Sequence, residues 1–332
     1  MTSSTIAPYL REIGRGKDGA RALSRDQARD LMGLILDGRV GDLELGGFAL
    51  AMRIKGETPE ELAGFLDAVM PRTLPLPAPQ GDAAAVLLPS YNGARRLPNL
   101  TALLALRLAR AGVPVLVHGL VEDPTGRVTT AAVFQALGLP RAADAGDVAA
   151  CWARGEPAFM PLETLHPGLA RLLGLRRVLG LRNSGHTLAK LLPAVPGAVR
   201  VVNHTHPEYA SSLSQHLHEA GADAVLMRGT EGEPVADARR QPRMLAWIGG
   251  EPAPAHGLQP QEGVLAGLPD LPESLDATPT AAFVRQAMDG ARPVPAPIEA
   301  QAQALAALAR TVAARRLSAA TTGGDATRAA RS

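Results

Sequence analysis

The 332-residue chain has a single cysteine, Cys151, which excludes an internal disulfide framework and any metal site built from several thiolates. Aromatic residues make up only 3% of the chain, which argues against a surface that binds ligands mainly by stacking bases on aromatic rings. Apolar runs all fall short of a membrane span, and the N-terminus lacks the residue order of a secretory signal. We therefore expect a cytoplasmic protein with no membrane partner.

Lysine and, in one region, acidic residues are also scarce. Lys17, Lys55 and Lys190 are the only lysines. Residues 164–207, here called the acid-free segment, contain no Asp or Glu. Its cations and histidines are Arg171, Arg176, Arg177, Arg182, Lys190, Arg200, His166, His186, His204 and His206. Such a segment is either a helix face paired with acids from elsewhere or an anion-binding surface, and both interpretations remain open.

The first part of the chain has the pattern of a helical domain. Over residues 6–72, Ser24 and Thr58 are placed to cap helices, and Thr58 is followed by Pro59 and by Glu61 at the capping-box position. The proline-rich stretch "PRTLPLPAPQGD" then provides a domain boundary. We therefore predict a helical domain over residues 1–72.

Short apolar runs that alternate with helical patterns follow this boundary. "AAAVLLP", "VPVLVHG", "VRVVNHT", "DAVLMRG" and "RMLAWIG" each have the character of a buried strand. This alternation predicts an α/β fold, with the small helical domain packed on a larger, mostly parallel-sheet domain over residues 73–317. Residues at about 150–180 are expected to pack on the helical domain, and 318–332 to form a disordered tail.

The order of these elements resembles the anthranilate phosphoribosyltransferase family (glycosyltransferase family 3) over roughly residues 6–315. "LPSYNGARRLPNLT" aligns with the region of that family that reads GTGGD followed by N-x-S/T, and "VHGLV" aligns with KHGNR. "HP" and "LGLRRVLGLRN" also match family segments. On the resemblance, a family-matched ligand cleft comprises Asn92, Gly93, Asn99, His118, Gly119 and His166.

The catalytic motifs of that family are altered in this chain. The glycine cradle has become Pro89-Ser90-Tyr91-Asn92-Gly93, and Val117 replaces the phosphate-binding lysine. The adjacent Asp-Glu pair that holds magnesium in the family is replaced by the separated Glu231 and Glu233. Adjacent glycines let backbone N–H groups approach a pyrophosphate, and their loss together with the lysine and the acid pair predicts loss of phosphoribosyl transfer.

"RNSGHTLAKLL" and "MRGTEGEP" resemble the YbiB-type branch instead. That resemblance implies a cytoplasmic homodimer, formed through the helical domain, that binds DNA and RNA in a basic groove with little sequence preference. It implies no catalytic residues and no cofactor. The expected nucleic-acid contacts are Arg95, Arg96, Arg176, Arg177, Arg182 and Lys190.

A rival interpretation keeps a phosphoribosyl- or glycosyltransferase acting on an unidentified acceptor. In that case Glu231 and Glu233 would hold Mg²⁺ on a diphosphate. A histidine metal site at His204 and His206 is disfavoured, because neither an adjacent carboxylate nor a thiolate completes it. The nucleic acid that matters in the cell and the process it serves are left open.

Overall fold

The computed structural model describes residues 5–16, 18–123, 125–205, 209–263 and 267–329, with side chains up to Ser318. Its helices are α1 (Ala7–Ile13), α2 (Arg25–Leu36), α3 (Asp42–Lys55), α4 (Pro59–Val69), α5 (Thr101–Arg110), α6 (Thr130–Leu137), α7 (Ala145–Ala153), α8 (Leu162–Leu165), α9 (Pro167–Gly174), α10 (Arg176–Leu179), α11 (Ser184–Leu191), α12 (Tyr209–Glu219), α13 (Ala277–Met288) and α14 (Ala296–Ala329). The strands are β1 (Val86–Ser90), β2 (Val115–Gly119), β3 (Ala158–Pro161), β4 (Val199–His204), β5 (Ala224–Arg228), β6 (Met244–Ile248) and β7 (Glu251–Pro252).

The strands form one sheet in the order β3-β2-β1-β4-β5-β6-β7. Pairing is parallel from β3 through β5, and β6 and β7 add antiparallel strands at one edge. The five apolar runs singled out in the sequence are β1, β2, β4, β5 and β6. The predicted fold class, a small helical domain on a mostly parallel α/β domain, is confirmed.

The helix starts follow local side-chain chemistry. Ser24 and Thr58 both cap their helices through complete capping boxes, in which the third helical residue bonds back to the cap. Pro59 begins α4, where its missing N–H costs nothing. The caps predicted for α2 and α4 are therefore confirmed.

Two hydrophobic cores lie on opposite faces of the sheet. One is continuous with the helical domain, so that Phe48 and Phe65 belong to the same core as Leu87 on β1. The other joins the opposite face, including Leu88, to α5, α6, α13 and α14. Successive β1 residues thus point into different cores, as strand geometry requires.

The middle helices pack against the helical domain. The guanidinium of Arg171 on α9 donates hydrogen bonds to the carbonyls of Ile35 and Leu36 at the end of α2, at 3.0 and 2.8 Å. The backbone of α14 is helical to Ala329, whereas side chains beyond Ser318 lie outside the described residues. The disordered tail proposed for 318–332 therefore stays a prediction.

Candidate anion-binding cleft

The loop after β1 is closed by a buried carboxylate from a distant segment. Glu233, only 2% exposed, accepts hydrogen bonds at Oε1 from the backbone N–H groups of Asn92 (2.6 Å) and Gly93 (2.7 Å). Its Oε2 accepts a hydrogen bond from the Ser90 hydroxyl. Burial raises the pKa of the Glu233 carboxyl, although these hydrogen bonds act in the opposite direction. This carboxylate therefore occupies the turn where backbone N–H groups converge.

Glu231 closes the next part of the same loop. Its Oε2 accepts hydrogen bonds from the backbone N–H groups of Arg95 (2.7 Å) and Arg96 (3.0 Å), with a longer contact to Leu97. Glu231 also has a left-handed backbone, with φ of 54°. Such strain in a non-glycine residue persists where the surrounding contacts demand it, and here the contact is with the loop.

These contacts do not fit the magnesium role proposed under the rival interpretation. Glu231 and Glu233 direct their oxygens at N–H and O–H donors, so a cation would have to displace those donors to coordinate the same oxygens. No group of three or more acidic, histidine or cysteine side chains suited to a metal occurs among the described residues. As they are bonded here, Glu231 and Glu233 do not fit a Mg²⁺ site.

Gly93, the one glycine left in the loop, is required by its conformation. Its φ is +68°, and a Cβ there would lie 2.8 Å from the Cβ of Arg127. The loop therefore keeps a glycine for its own turn. The space in front of the loop N–H groups is filled by the protein's own carboxylates.

A cleft of about 1070 Å³ opens beside this loop, between the helical domain and the carboxyl ends of the parallel strands. Open α/β sheets present ligands at this end of their strands. Cations dominate its lining: Arg53, Lys55, Arg95, Arg127, Arg176, Arg182, Lys190 and Arg228. The acids in the lining, as far as the described residues go, are Glu57 and Glu231. Glu231 is already bonded to the loop, and burial raises the pKa of Glu57, so the cleft favours an anionic ligand.

Some of these cations are already paired. Arg176 forms an ion pair of 3.1 Å with the buried Asp123, and Lys55 forms one of 2.6 Å with the buried Glu61. Arg182 has no ion pair among the residues described, and burial together with Arg176 and Arg127 lowers its pKa to about 10. The first interpretation of the acid-free segment, pairing with acids from elsewhere, therefore holds for Arg176, whereas anion binding by Arg182 stays a prediction.

Lys190 lies in the lining of the cleft on α11. Its Nζ donates hydrogen bonds to Asn203 on β4, at 2.8 Å to Oδ1 and 3.2 Å to the backbone carbonyl. Burial, followed by repulsion from Arg182, lowers the pKa of Lys190 to about 7. The side chain is half-buried and bonded to Asn203, and its contact with phosphate stays a prediction.

The predicted nucleic-acid contacts divide between the cleft and the open surface. Arg95, Arg176, Arg182 and Lys190 line the cleft. Arg96 and Arg177 are exposed and lie outside that lining.

Of the family-matched residues, Asn92 lines the cleft and the others lie outside its lining. Asn99 Nδ2 donates to the Thr130 hydroxyl at 2.9 Å, and Gly119 lies on β2 against Ser90, where a Cβ would meet the Ser90 carbonyl at 2.1 Å. His118 bonds to the Tyr91 hydroxyl through Nδ1 at 2.6 Å, and burial lowers its pKa to about 3.

His166 acts locally in the fold. Its Nδ1 accepts a hydrogen bond from the Leu169 backbone N–H at the start of α9, at 3.0 Å, and its Nε2 lies 3.2 Å from the Val69 carbonyl. Burial lowers the pKa of His166. His204 lines the cleft, whereas His206 lies outside the described residues, so the histidine pair is not described as a site.

Sequence reasoning missed several cleft residues. Arg53 and Lys55 come from the helical domain, and Arg127 follows β2 and donates to the Asn92 carbonyl at 3.3 Å. The cluster of basic residues ending α3 was a visible signal for the first two. Nothing in the sequence indicated Arg127, because only the tertiary fold places it against the loop.

The comparisons with known proteins agree with this architecture. Residues 7–72 match the helical bundle domain of a glycosyl transferase family. The chain is 40% identical to YbiB of Escherichia coli K12, over 88% of this chain and 90% of that protein. It is 32% identical to an anthranilate phosphoribosyltransferase of Methanopyrus kandleri, over 66% of this chain and 62% of the relative.

Solved structures show the same fold. The crystal structure of anthranilate phosphoribosyltransferase from Thermus thermophilus aligns with a TM-score of 0.71 at 22% identity, covering 92% of this chain and 94% of that one. The enzyme from Saccharomyces cerevisiae, in complex with PRPP and Mg, aligns with a TM-score of 0.66 at 15% identity, covering 93% and 94%. None of the helices among the described residues is long and apolar enough to cross a bilayer. The chain belongs to the same family as YbiB and has the fold of the anthranilate phosphoribosyltransferases.

Proposed function

We propose that this protein binds nucleic acid through phosphate contacts in the cationic cleft and does not transfer phosphoribose. The observation that carries the proposal is the pair of carboxylates, Glu231 and Glu233, on the loop N–H groups. They neutralise the loop as a site for pyrophosphate while the cleft beside it keeps its excess of cations. The anion that fits the remaining cleft is an extended phosphate backbone that runs along the arginine side chains.

The lining of the cleft also predicts that the protein binds nucleic acid with little preference for base sequence. Tyr91 and Tyr209 are the aromatic residues of the lining, and Tyr91 is buried with its hydroxyl on His118. Contacts with phosphate carry no base identity, and extended stacking needs more aromatic surface than this. We therefore expect DNA and RNA strands of unrelated sequence to bind with similar affinity.

Salt dependence tests the proposal. Replacing Arg95 and Arg182 together with Ala is expected to flatten the slope of log affinity against log salt by about 1.4 on a single strand, since each phosphate contact adds roughly 0.7. The measurement is fluorescence anisotropy of labelled oligonucleotides over several salt concentrations.

Each of these positions has a matched control residue close to it in the sequence. Arg96 is adjacent to Arg95, and Arg177 lies on α10 shortly before Arg182, yet both are outside the lining of the cleft. The Arg96→Ala, Arg177→Ala double variant removes the same charge and should retain nearly the full slope. Equal flattening in both double variants would place the contacts outside the cleft, and no binding by the unmodified protein would refute nucleic-acid binding itself.

A second candidate is phosphoribosyl or glycosyl transfer to an unidentified acceptor. Family membership favours it, because the relatives named above whose names state an activity are anthranilate phosphoribosyltransferases. The cleft also lies between two domains at the carboxyl ends of parallel strands, a usual place for a substrate. Its difficulty is that Glu231 and Glu233 are engaged by the loop, so Mg²⁺ would need other ligands.

We further propose a homodimer formed through α3. Leu43 (91% exposed), Leu50 (44% exposed) and Ile54 follow one another at spacings of seven and four residues, which places them on one face of the helix. An apolar stripe of this kind on the surface is typical of an interface. A twofold axis would pack this stripe of one subunit against the same stripe of the other.

Charge substitution tests the dimer. The Leu43→Glu, Leu50→Glu variant should elute as a monomer in light scattering at micromolar concentration, because carboxylates would face one another across the twofold. Val178→Glu makes the same kind of change at a residue that is 84% exposed on α10 and should leave the dimer intact. A monomeric unmodified protein, or a dimer that survives both changes in α3, would refute this interface.

A further inference from the structure

The surroundings of Lys190 suit a neutral amine. A neutral amine has two N–H groups, and Nζ has two acceptors on Asn203, the side-chain Oδ1 and the backbone carbonyl. With both hydrogens used in this way, the nitrogen lone pair points away from Asn203. The third N–H of an ammonium ion would have to be satisfied from the cleft that Lys190 lines.

Asn203 itself has an unused donor. Its Nδ2 is buried and has no hydrogen-bond partner among the described residues, and the residue lines the cleft beside Lys190. The orientation of the amide is determined by the bond from Lys190 to Oδ1. Because a buried donor without a partner is costly, a ligand oxygen brought to this N–H would be stabilised by it.

In the part of the chain that the structure describes, more cations than free carboxylates line the cleft around this amine. Arg182 lowers the pKa of Lys190, whereas Glu233 acts weakly in the opposite direction. His186, on the same helix, has its own pKa lowered to about 3 by burial and by nearby cations, so it is neutral. Arg95 and Arg182 line the same cleft and are available to a phosphate group.

From this arrangement we propose that Lys190 is a covalent attachment site for an aldehyde that carries a phosphate group. The Lys190 lone pair adds to the carbonyl carbon, and the proton lost by nitrogen passes to the oxygen. The resulting carbinolamine expels water to leave an imine, so no oxidant or reductant is needed. The unused Asn203 N–H is the donor for the carbonyl oxygen, and the cleft arginines hold the phosphate. This proposal goes beyond nucleic-acid binding and stands independently of it.

The scarcity of lysine makes the test specific. The whole protein is incubated with pyridoxal 5′-phosphate, the imine is reduced with borohydride to a stable secondary amine, and the modified residue is located by peptide mass spectrometry. The expected result is one adduct at Lys190. Lys55 should remain unmodified, since it is held in its ion pair with Glu61. Lys17 and the N-terminal amine provide the internal background.

Two further comparisons distinguish a site that also binds the phosphate of the probe from a lysine that is only reactive. Pyridoxal, which lacks the phosphate, should modify Lys190 at least tenfold more slowly at equal concentration, and inorganic phosphate should compete with the phosphorylated probe. The rate at Lys190 should rise through about pH 7 and then level off, in contrast to an ordinary lysine with a pKa near 10.5.

The variants complete the experiment. Lys190→Arg should lose the adduct, and Lys17→Arg should keep it. The proposal is overturned if pyridoxal modifies Lys190 as fast as its phosphate ester does, or if Lys17 and the N-terminus take up the probe as fast as Lys190. Because the modified residue is located in the unmodified sequence, these outcomes remain decisive even if the Lys190→Arg variant fails to fold. None of them affects the salt-slope test of nucleic-acid binding.

Discussion

A Glu233→Ala variant is expected to be less stable than the unmodified protein by roughly 3 kcal/mol or more. The change leaves the backbone N–H groups of Asn92 and Gly93 without their acceptor, and the Ser90 hydroxyl keeps only its bond with the Thr130 hydroxyl. Each buried donor left unpaired costs about 1–3 kcal/mol. The free energy of unfolding from denaturant titration measures the loss.

The same variant should gain a dependence on added anion. With the carboxylate removed, the two N–H groups are open to inorganic phosphate or pyrophosphate, which would stabilise the folded state by mass action. The unmodified protein should show little such stabilisation from an anion bound at the loop. A rise in the melting temperature of Glu233→Ala with pyrophosphate, beyond that of the unmodified protein, checks the expectation.

Glu233→Gln is the matched control for this experiment. Glutamine keeps the shape of the side chain and one acceptor oxygen for the two backbone N–H groups, so most of the stability should remain. It also fills the space, so pyrophosphate should have no added effect. If the Gln variant is as unstable as the Ala variant, or if Ala costs nothing, then Glu233 does not serve as the internal acceptor of the loop.

Turnover of anthranilate and phosphoribosyl pyrophosphate should be absent even with Mg²⁺ supplied. Enzymes accelerate reactions by about a million-fold or more, largely through preorganised donors and charges at the reacting groups. Here the donors of the loop are bonded to Glu231 and Glu233, and those acids are not free to hold a cation. Product formation is therefore expected to match a control without protein.

The assay distinguishes the two candidate functions when it is run beside a working enzyme. The anthranilate phosphoribosyltransferase of Methanopyrus kandleri, a relative at 32% identity, is the positive control. Calorimetry with phosphoribosyl pyrophosphate and Mg²⁺ extends the test to an unidentified acceptor, because a transferase must bind its donor whatever the acceptor is. Metal-dependent binding that is abolished by Glu231→Gln and Glu233→Gln would favour the transferase, since it would require both acids to leave the loop N–H groups.

The helical starts and most strands were determined by local sequence. Ser24 and Thr58 each precede a helix, and their capping-box partners Gln27 and Glu61 follow three positions later. Both capping boxes therefore form between close neighbours in the chain. Short apolar runs bounded by turn residues, such as residues 86–90, predicted buried strands, and β1 is buried along its whole length. The short β3 was missed, because four residues that include a proline give little periodicity.

The place and composition of the site were partly visible in the sequence. The altered loop and the acid-free segment indicated where a ligand would lie, and Arg95, Arg182 and Lys190 do line one cleft. The pKa values and ion pairs of the cleft side chains were not visible in the sequence. Lys190 has a pKa of about 7 because the fold buries it beside Arg182. Arg176 faces Asp123 from 53 positions away.

The role of the two glutamates was decided by the tertiary structure alone. As sequence, Glu231 and Glu233 could be metal ligands or surface acids. The fold brings Glu233 to Asn92, 141 positions earlier in the chain, by placing β4 between β1 and β5 in one parallel sheet. Hydrogen bonds over such separations depend on strand order and loop direction, for which neighbouring residues carry no signal. The sequence by itself thus determined the resemblance and the single glycine of the loop, whereas only the fold determined which groups accept hydrogen bonds from the loop.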